Sequence, residues 1–249
     1  MVITLTLGFL IGTILGSFVK ALADRSLTQE TFLGRSSCEY CHKQLKVWDL
    51  IPVISFLLLH GKCRYCHKSL SPEYLIVEVV MGILIAGIFW LNFPLNSPLM
   101  FGYQIFFVTV LATIFLTDLK EMFIPDRIIY PAIITGIIWQ FLLGSFVEAA
   151  IAAILIGGFF LSLVVLTRGK GMGGGDIKLG AFIGLSLGLP YGILAVMLAF
   201  LTGATFGIAA ILLSKKHFGE SLPFGPFLVL GSLITLFWGT QILQLYLKV

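Results

Sequence analysis

The sequence predicts an all-α polytopic membrane protein with about eight transmembrane helices, and three observations support this fold class. Hydrophobic residues make up 58% of the chain and charged residues only 11%, against roughly 25% charged residues in an average soluble domain. The mean hydropathy is +1.04. The apolar runs also lack the alternation of polar and apolar positions that a membrane β-barrel requires. This composition excludes an ordinary soluble enzyme.

The predicted helices follow from the lengths of the apolar runs, since a transmembrane helix needs about 20 apolar residues. The runs cover about 3–19, 74–91, 99–117, 127–143, 148–167, 177–188, 191–213 and 226–247. They are rich in glycine, as expected of membrane helices that pack closely. No Lys or Arg precedes the first run and no small-x-small site follows it, so we expect a retained helix rather than a cleaved signal peptide.

The basic residues predict the orientation of these helices. With eight spans, the odd-numbered loops share one side of the membrane. They hold every basic residue except Lys248: Lys20, Arg25, Arg35, Lys43, Lys46, Lys62, Arg64, Lys68, Lys120, Arg127, Arg168, Lys170, Lys178, Lys215 and Lys216. The positive-inside rule then places segment 20–73 in the cytoplasm and both termini outside. Topology and anionic lipid account for the net charge of +4, so no nucleic-acid partner is expected.

All four cysteines lie in the polar segment 20–73, as two Cys-x-x-Cys pairs. These are Cys38 with Cys41 and Cys63 with Cys66, and 21 residues separate the pairs. This spacing lies just outside the usual range for a four-thiolate zinc site. A reducing cytoplasm disfavours disulfides, and about fifty residues build little core, so a bound metal would supply folding energy. The pattern predicts structural zinc.

Two alternative interpretations of the cysteine motifs remain open. Each motif is followed by histidine, which completes the Cys-x-x-Cys-His signature of haem c attachment. Such attachment takes place outside the cytoplasm, against the predicted orientation. His42 or His67 could also replace a thiolate as a zinc ligand, although a histidine at this position is more often solvated.

Two aspartates predict the chemistry, because each lies where a long apolar run meets a polar segment. Asp118 follows the third predicted span, and Asp176 precedes the sixth. Carboxylates at a membrane boundary are costly and are functional candidates by default. The predicted topology places both on the cytoplasmic side. In a shared site of low dielectric constant one carboxyl keeps its proton while the other acts as a base, which indicates an acid–base pair that activates water.

The residues around the aspartates have both functional and structural interpretations. Gly173 and Gly175 complete a Gly-x-Gly-Asp motif and permit close approach of a peptide backbone, although a glycine-rich stretch can also be a simple flexible loop. Asp126 immediately precedes a span, so we expect it to be a helix N-cap, with a catalytic or substrate-orienting role as the alternative. Lys178 follows Asp176 by two residues and either joins the active site or extends to the membrane surface.

Several motifs in this order resemble the type IV prepilin leader peptidases, polytopic aspartic peptidases that usually also act as N-methyltransferases. The resemblance covers nearly the whole chain. It rests on residues 16–18, 34–38, 48–55, 61–66, 117–120, 124–126, 171–178 and 222–227. In the last of these, Pro223, Gly225 and Pro226 are expected to shape a re-entrant turn before the final span.

The resemblance implies an enzyme of the inner membrane of a prokaryote. It implies cleavage of the short basic leader of a type IV prepilin or pseudopilin by Asp118 and Asp176. S-adenosylmethionine would then methylate the new amino terminus. The implied partners are that substrate and membrane lipid. We expect a first helix over 1–19, a zinc-binding segment over 20–73 and a seven-helix peptidase core over 74–249.

The chain departs from the family in the region associated with methyl transfer. Lys20 replaces a usual Asn, and the stretch 73–78 lacks the usual Arg and Pro. Proteolysis without methylation is therefore an alternative. Glu78 could bind the methyl donor or a substrate ammonium group, or it could pair with a neighbouring cation such as Lys20. A transporter is a further alternative, but transporter sites lie near the bilayer midplane between repeated halves, and the membrane spans of this sequence do not repeat in that way.

Overall fold

The computed structural model describes residues 1–32, 34–94, 97–169, 172–213 and 223–247. In these ranges the regular structure is helical, apart from two isolated β-bridges. The helices are α1 (Val2–Leu27), α2 (Ile54–Leu58), α3 (Glu73–Leu91), α4 (Pro98–Glu121), α5 (Asp126–Leu142), α6 (Phe146–Leu166), α7 (Gly174–Leu187), α8 (Tyr191–Leu212) and α9 (Gly225–Leu247), with a 3-10 turn at Val47–Leu50. Lys170, Gly171, Lys215, Lys216, Leu222 and Lys248 lie outside the described residues.

Six of the described helices are long and apolar enough to cross a membrane: α1, α3, α4, α6, α8 and α9. This confirms an all-α, multi-pass membrane protein. The fourth and sixth predicted spans correspond to α5 and α7, which have only 17 and 14 residues. At 1.5 Å per residue α7 is about 21 Å long, shorter than the hydrocarbon core of about 30 Å.

The chain forms two compact units, Met1–Thr113 and Ile114–Val249. In the first unit, α1 packs against α3 through glycines spaced four residues apart. A Cβ atom on Gly12 would lie 2.7 Å from the Cα of Gly82, and one on Gly16 would lie 2.7 Å from the Cα of Glu78. Real Cβ atoms do not approach so closely. The glycines therefore let the two backbones touch, as small residues do in membrane helix pairs.

The polar end of α1 is helical rather than part of the following loop. The helix continues to Leu27, eight residues beyond the predicted apolar span. The buried Lys20 is paired with Asp24, lies 3.5 Å from Glu73, and sits over the ring of Tyr74 at 4.4 Å. The alternative in which Glu78 pairs with Lys20 is therefore wrong, because carboxylates of Asp24 and Glu73 bind this ammonium group.

In the second unit α7 occupies the centre, in contact with α5, α6, α8 and α9. Leu179, Phe182 and Ile183 of α7 are fully buried. A Cβ atom on Gly184 would lie 2.6 Å from the carbonyl oxygen of Ala152 in α6, so glycine sets the close approach of these two helices. Because protein surrounds α7, it can be shorter than a lipid-exposed span. Asp176 lies in the first turn of this central helix.

Candidate active site and metal centre

Asp118 lies in the last turn of α4 and is buried, with 5% of its surface exposed. Its neighbour Thr117 is fully buried and donates a hydrogen bond to the carbonyl of Ile114 at 3.1 Å. Among the described residues no donor reaches Oδ2 of Asp118. A buried carboxylate oxygen without a donor is costly when ionised. A proton or a bound substrate would remove that cost.

Gly225, the first residue of α9, lies directly against Asp118. A Cβ atom at this position would lie 2.5 Å from Oδ2 and 2.9 Å from Cγ of Asp118. Any side chain here would displace the carboxylate. From the sequence, Gly225 is expected only to shape a turn, and its contact with Asp118 is not predicted. The proline–glycine motif predicts a turn at this position, but it does not predict which residue lies against Gly225.

Asp176 is the third residue of α7 and is also buried, with 8% of its surface exposed. Its Oδ2 accepts a hydrogen bond from the amide of Gly173 at 3.2 Å, and its own amide donates to the carbonyl of Gly173 at 3.2 Å. This reciprocal pattern fixes the side chain in the first helical turn, where the helix dipole favours a carboxylate. Asp118 and Asp176 are close enough to interact electrostatically.

Gly175 allows the loop before α5 to approach the first turn of α7. A Cβ atom on Gly175 would lie 3.1 Å from the Cβ of the buried Ile124. That separation is tighter than ordinary van der Waals contact, so alanine would push the two segments apart. The Gly-x-Gly-Asp motif thus supplies one backbone donor, at Gly173, and one close contact, at Gly175.

Asp126 does not cap α5, so the predicted N-cap is wrong. The helix begins at Asp126 itself, and Pro125 occupies the N-cap position without a side-chain bond. Asp126 is the first residue of the helix instead of its cap. Its carboxylate accepts a hydrogen bond from Lys178 at 2.5 Å. The same ammonium group lies 4.8 Å from the centre of the Tyr130 ring. This pair joins the starts of α5 and α7, and its exposure limits its contribution to stability.

The four cysteines form a cluster in the first unit. Their Sγ atoms all lie within 4.8 Å of one another, and Cys38 and Cys66 are 3.8 Å apart. None forms a disulfide. Tetrahedral zinc with bonds of about 2.3 Å requires sulfur–sulfur distances of about 3.8 Å. The cluster can therefore hold a metal such as zinc, and the described residues bring no histidine into it.

The two cysteine motifs fold alike and exchange contacts. The amide of each first cysteine bonds to a lysine carbonyl, Cys38 to Lys43 at 3.0 Å and Cys63 to Lys68 at 2.9 Å. The ammonium of Lys43 lies 5.1 Å from the Tyr65 ring of the other motif, and that of Lys68 lies 4.8 Å from the Tyr40 ring. The sequence repeat Cys-x-Tyr-Cys-His-Lys thus encodes a structural repeat.

Electrostatics within the cluster favour a bound cation. Burial opposes ionisation of Cys63, but hydrogen bonds from the amides of Cys66 and Tyr65 outweigh it and lower the pKa of this thiol to about 7. A hydrogen bond from the Lys68 backbone favours the Cys66 thiolate, but desolvation and the neighbouring thiols raise the pKa of Cys66 to about 11. A metal ion would let all four sulfurs ionise together.

Glu78 borders a cavity of about 560 Å³ in the first unit. Its Oε2 accepts a hydrogen bond from the amide of Val53 at 2.7 Å. Val53 has a φ of 62°, a conformation that is a genuine outlier for a β-branched residue. Asp24, Glu39 and Tyr74 also line the cavity. The contribution of Val53 was missed by sequence analysis, because no local pattern predicts a bond across 25 residues.

A second carboxylate supports the cysteine segment. Burial disfavours the charge of Asp49, but bonds from the amide of Lys46 and the guanidinium of Arg64 outweigh it and lower the pKa of this carboxyl. Arg64 donates to Oδ1 at 2.5 Å and the Tyr65 hydroxyl to Oδ2 at 3.2 Å. Asp49 thereby connects the second cysteine motif to the turn at Val47–Leu50.

Comparisons with known proteins identify the family. Residues 10–92 match the bacterial peptidase A24 N-terminal domain, and residues 105–208 match the type IV leader peptidase family. The chain is 32% identical over 248 residues to the prepilin leader peptidase/N-methyltransferase of Bacillus subtilis, an alignment that covers 98% of each protein. The chain therefore belongs to the type IV leader peptidase family, and the resemblance inferred from the sequence is confirmed.

Two other relatives have the same description. The protein of Stutzerimonas stutzeri is 32% identical over 223 residues, which cover 87% of this chain and 76% of the relative. That of Burkholderia pseudomallei strain 1026b is 35% identical over 214 residues, or 83% of this chain and 68% of the relative. No solved structure matches this chain.

Proposed function

We propose that this chain cleaves the leader peptide of type IV prepilins or pseudopilins with Asp118 and Asp176, and then methylates the new amino terminus. The observation that carries the proposal is the pair of buried, interacting carboxylates in one unit. Relatives that align over most of their length have both activities in their names. Nothing in the site requires a metal or a covalent nucleophile.

The carboxyl pair suits hydrolysis of a peptide bond. With one proton shared between them, the ionised carboxylate removes a proton from water, and the water oxygen attacks the peptide carbonyl carbon. The protonated carboxyl donates to the carbonyl oxygen. The carbon–nitrogen bond then breaks, and the leaving amine takes up a proton from the pair. The two groups titrate as a unit, so each can serve as acid and as base in turn.

The glycines near the two aspartates have no side chains, which leaves room for a substrate to bind in an extended conformation. Among the described residues nothing lies within 4 Å of a Cβ position on Gly174, and only atoms of the first turn of α7 come within 4 Å of one on Gly173. Gly225 likewise adds no side chain over Oδ2 of Asp118. A substrate strand lying there could also satisfy that buried oxygen. Lys178 and Asp126 neutralise each other beside this region, which leaves the aspartate pair as the reacting charges.

We infer that the protein lies in the inner membrane of a prokaryote with eight spans, as α5 and α7 complete the six longer helices. The clustering of basic residues in alternate loops favours a cytoplasmic active site. In this proposal residues 1–19 form the first span, 20–73 the cytoplasmic zinc segment and 74–249 the peptidase core. The short α7 is tolerated because α5, α6, α8 and α9 cover it.

We also infer that Cys38, Cys41, Cys63 and Cys66 bind one structural zinc ion. The thiol separations fit tetrahedral coordination, and the small segment offers little core of its own. The metal would hold the two motifs in their observed arrangement and take no part in the reaction. Haem attachment is not favoured, because the four sulfurs converge on one point rather than presenting two separate attachment sites.

The cavity beside Glu78 is the candidate site for the methyl donor. Its volume falls within the usual 300–1,000 Å³ of small-molecule sites. S-adenosylmethionine supplies an electrophilic methyl group and carries positive charge, which the carboxylates of Glu78, Asp24 and Glu39 would complement. The Val53 amide fixes the Glu78 carboxylate in place. The sequence departures at 73–78 leave this carboxylate intact.

Co-expression with a candidate prepilin, followed by mass spectrometry of its amino terminus, tests both activities. We expect a product that lacks the leader and carries one methyl group. A cleaved, unmethylated product in the presence of ample S-adenosylmethionine would reduce the protein to a peptidase. Uncleaved prepilin with purified enzyme in the absence of ion gradients would contradict the proposal and favour another class, such as a transporter.

A further inference from the structure

An exposed apolar surface lies between the two cysteine motifs, and we call it the 47–58 surface. Its side chains are largely accessible: Val47 78%, Trp48 73%, Ile54 54%, Leu57 58% and Leu58 73%. Large contiguous apolar patches mark interaction sites when they occur outside a protein core. Five such side chains within twelve residues therefore require a partner beyond the described residues of the first unit.

The short helix α2 has one side that faces a cavity and one side that does not. Ser55, Phe56 and Leu59 line the cavity that contains Glu78. Ile54, Leu57 and Leu58 follow the i, i+3, i+4 spacing of one helical face and point away from that cavity. The inner side already contributes to the fold of this unit. The outer side has no counterpart among the described residues and has the composition of a buried face.

A hydrogen bond fixes the depth of this segment against a membrane helix. The amide of Val53, directly before α2, donates to Oε2 of Glu78 at 2.7 Å. Glu78 lies five residues into α3, a candidate span that begins at Glu73. That offset is about 7.5 Å along the helix axis. With the membrane surface taken at the start of α3, this depth falls within the roughly 5–10 Å to which the apolar faces of interfacial helices insert.

The charges near the surface suit lipid headgroups. Lys46 and Lys62 are exposed cations at either end of the segment. The one acid between them, Asp49, has only 4% of its side chain exposed and pairs with Arg64. Exposed lysines are attracted to anionic lipid, and tryptophan is enriched at membrane interfaces. A lipid partner thus explains both the apolar residues and the cations around them.

We propose that the 47–58 surface inserts into the polar–apolar boundary of the bilayer beside α3. It holds the cysteine segment against the membrane through Trp48, Ile54, Leu57 and Leu58, in addition to the covalent connections to α1 and α3. In this proposal the surface lies at the same membrane depth as the exposed apolar residues of α3, such as Ile76 and Val80, which are 58% and 47% exposed. This contact is independent of the proposed cleavage and methylation.

The test uses the full chain with Trp48 as its single tryptophan, after Trp90→Phe, Trp139→Phe and Trp238→Phe. The protein is reconstituted in vesicles of phosphatidylethanolamine and phosphatidylglycerol that contain lipids brominated near the headgroup end of the acyl chain. We expect loss of most Trp48 emission with these lipids, and less loss with lipids brominated at the chain terminus. Aqueous acrylamide should quench this emission weakly.

A matched control moves the tryptophan to the cysteine motif. In the variant with Trp48→Phe and Gln44→Trp, we expect strong quenching by acrylamide and little by brominated lipid. Adding Leu57→Glu and Leu58→Glu to the Trp48 protein should shift its quenching toward that of the control. Circular dichroism checks that each variant remains helical.

Three outcomes would overturn the proposal. The first is strong acrylamide quenching of Trp48 without lipid quenching. The second is equal lipid quenching at positions 44 and 48, which would show general burial of the segment. The third is strong acrylamide quenching of Trp48 in the protein without substrate that decreases when a hydrophobic prepilin helix is added. That result would assign the surface to the substrate instead.

Discussion

The carboxyl groups of Asp118 and Asp176 are buried and interact with each other, so only one of them can ionise at a low cost in free energy. Among the described residues neither carboxylate pairs with an arginine or a lysine, in contrast to Asp126, which pairs with Lys178. The structure therefore separates the three aspartates near this end of the second unit by their surroundings. Two are buried and interact with each other, and the third is exposed and paired.

This difference leads to a prediction for single substitutions. Asp118→Asn and Asp176→Asn should each lower the cleavage rate by at least about 10³-fold, because an amide keeps the shape but cannot transfer the proton. Cleavage of a prepilin by equal amounts of purified variant, followed by gel electrophoresis, measures the effect. Substantial turnover by either variant would remove the pair from the mechanism.

Asp126→Asn is the matched control. It loses only an exposed ion pair, which contributes little to stability, so we expect cleavage close to that of the unchanged protein. If Asp126→Asn is as inactive as the buried variants, the ranking of these aspartates is wrong and the Lys178 pair takes a direct part in catalysis.

Gly225 allows a prediction that depends on the structure alone. Gly225→Ala places a Cβ atom 2.5 Å from Oδ2 of Asp118 and must displace the carboxylate. We expect cleavage to fall by about 10²-fold, the cost of a misplacement near 1 Å, while helix content is retained. At Gly158 in α6 no described atom lies within 4 Å of the Cβ position, so Gly158→Ala should leave cleavage unchanged. Equal rates for both variants would show that α9 does not constrain Asp118.

At the scale of elements, we expect the cysteine segment to depend on a bound metal more than the helices do. We predict about one zinc per chain by elemental analysis, bound by four thiolates. Cys63→Ser should lose most of the zinc and make segment 20–73 sensitive to protease, since removal of one ligand opens both motifs. The membrane helices, which pack without it, should keep their helix content.

His67→Gln is the control for the metal site. The described histidines lie outside the sulfur cluster, so this variant should retain zinc and resist protease. Loss of zinc from His67→Gln would place an imidazole among the ligands. A haem spectrum from the purified protein would contradict the zinc assignment altogether.

The elements also show where sequence reasoning succeeds and where it stops. Apolar runs located the six long helices, because a bilayer requires a fixed length of apolar chain. They did not predict that α1 continues to Leu27, since Lys20 and Asp24 look like loop residues until their pairing is known. The contacts of Gly225, and those of Val53 with Glu78, join residues far apart in the chain. No local pattern records such pairings.

At the scale of the whole molecule, the residues proposed for the two activities belong to different compact units. Glu78 lies in Met1–Thr113, and Asp118 and Asp176 lie in Ile114–Val249. A substitution in the first unit should therefore abolish methylation without abolishing cleavage. The reverse does not hold, because the two steps occur in a fixed order. Methylation needs the amine that cleavage releases.

Glu78→Gln should give cleaved but unmethylated product, because it removes the buried negative charge beside the proposed donor cavity. Mass spectrometry of the prepilin amino terminus measures both steps at once. Glu148→Gln, which changes a glutamate in the second unit, should leave both intact. A methylated product from Glu78→Gln would exclude this carboxylate from methyl transfer and leave the peptidase assignment unaffected.

The glycine contact between α1 and α3 also has a consequence for how the cysteine segment folds. With α1 ending at Leu27 and α3 beginning at Glu73, the paired helices hold the two ends of the intervening chain together before any metal arrives. Metal binding must bring the two cysteine motifs together across the 21 residues between Cys41 and Cys63. In the intact protein the paired helices already restrict the ends of the segment, which lowers the chain entropy lost in that step. The same segment as a free peptide has unrestricted ends, so its zinc affinity should be weaker.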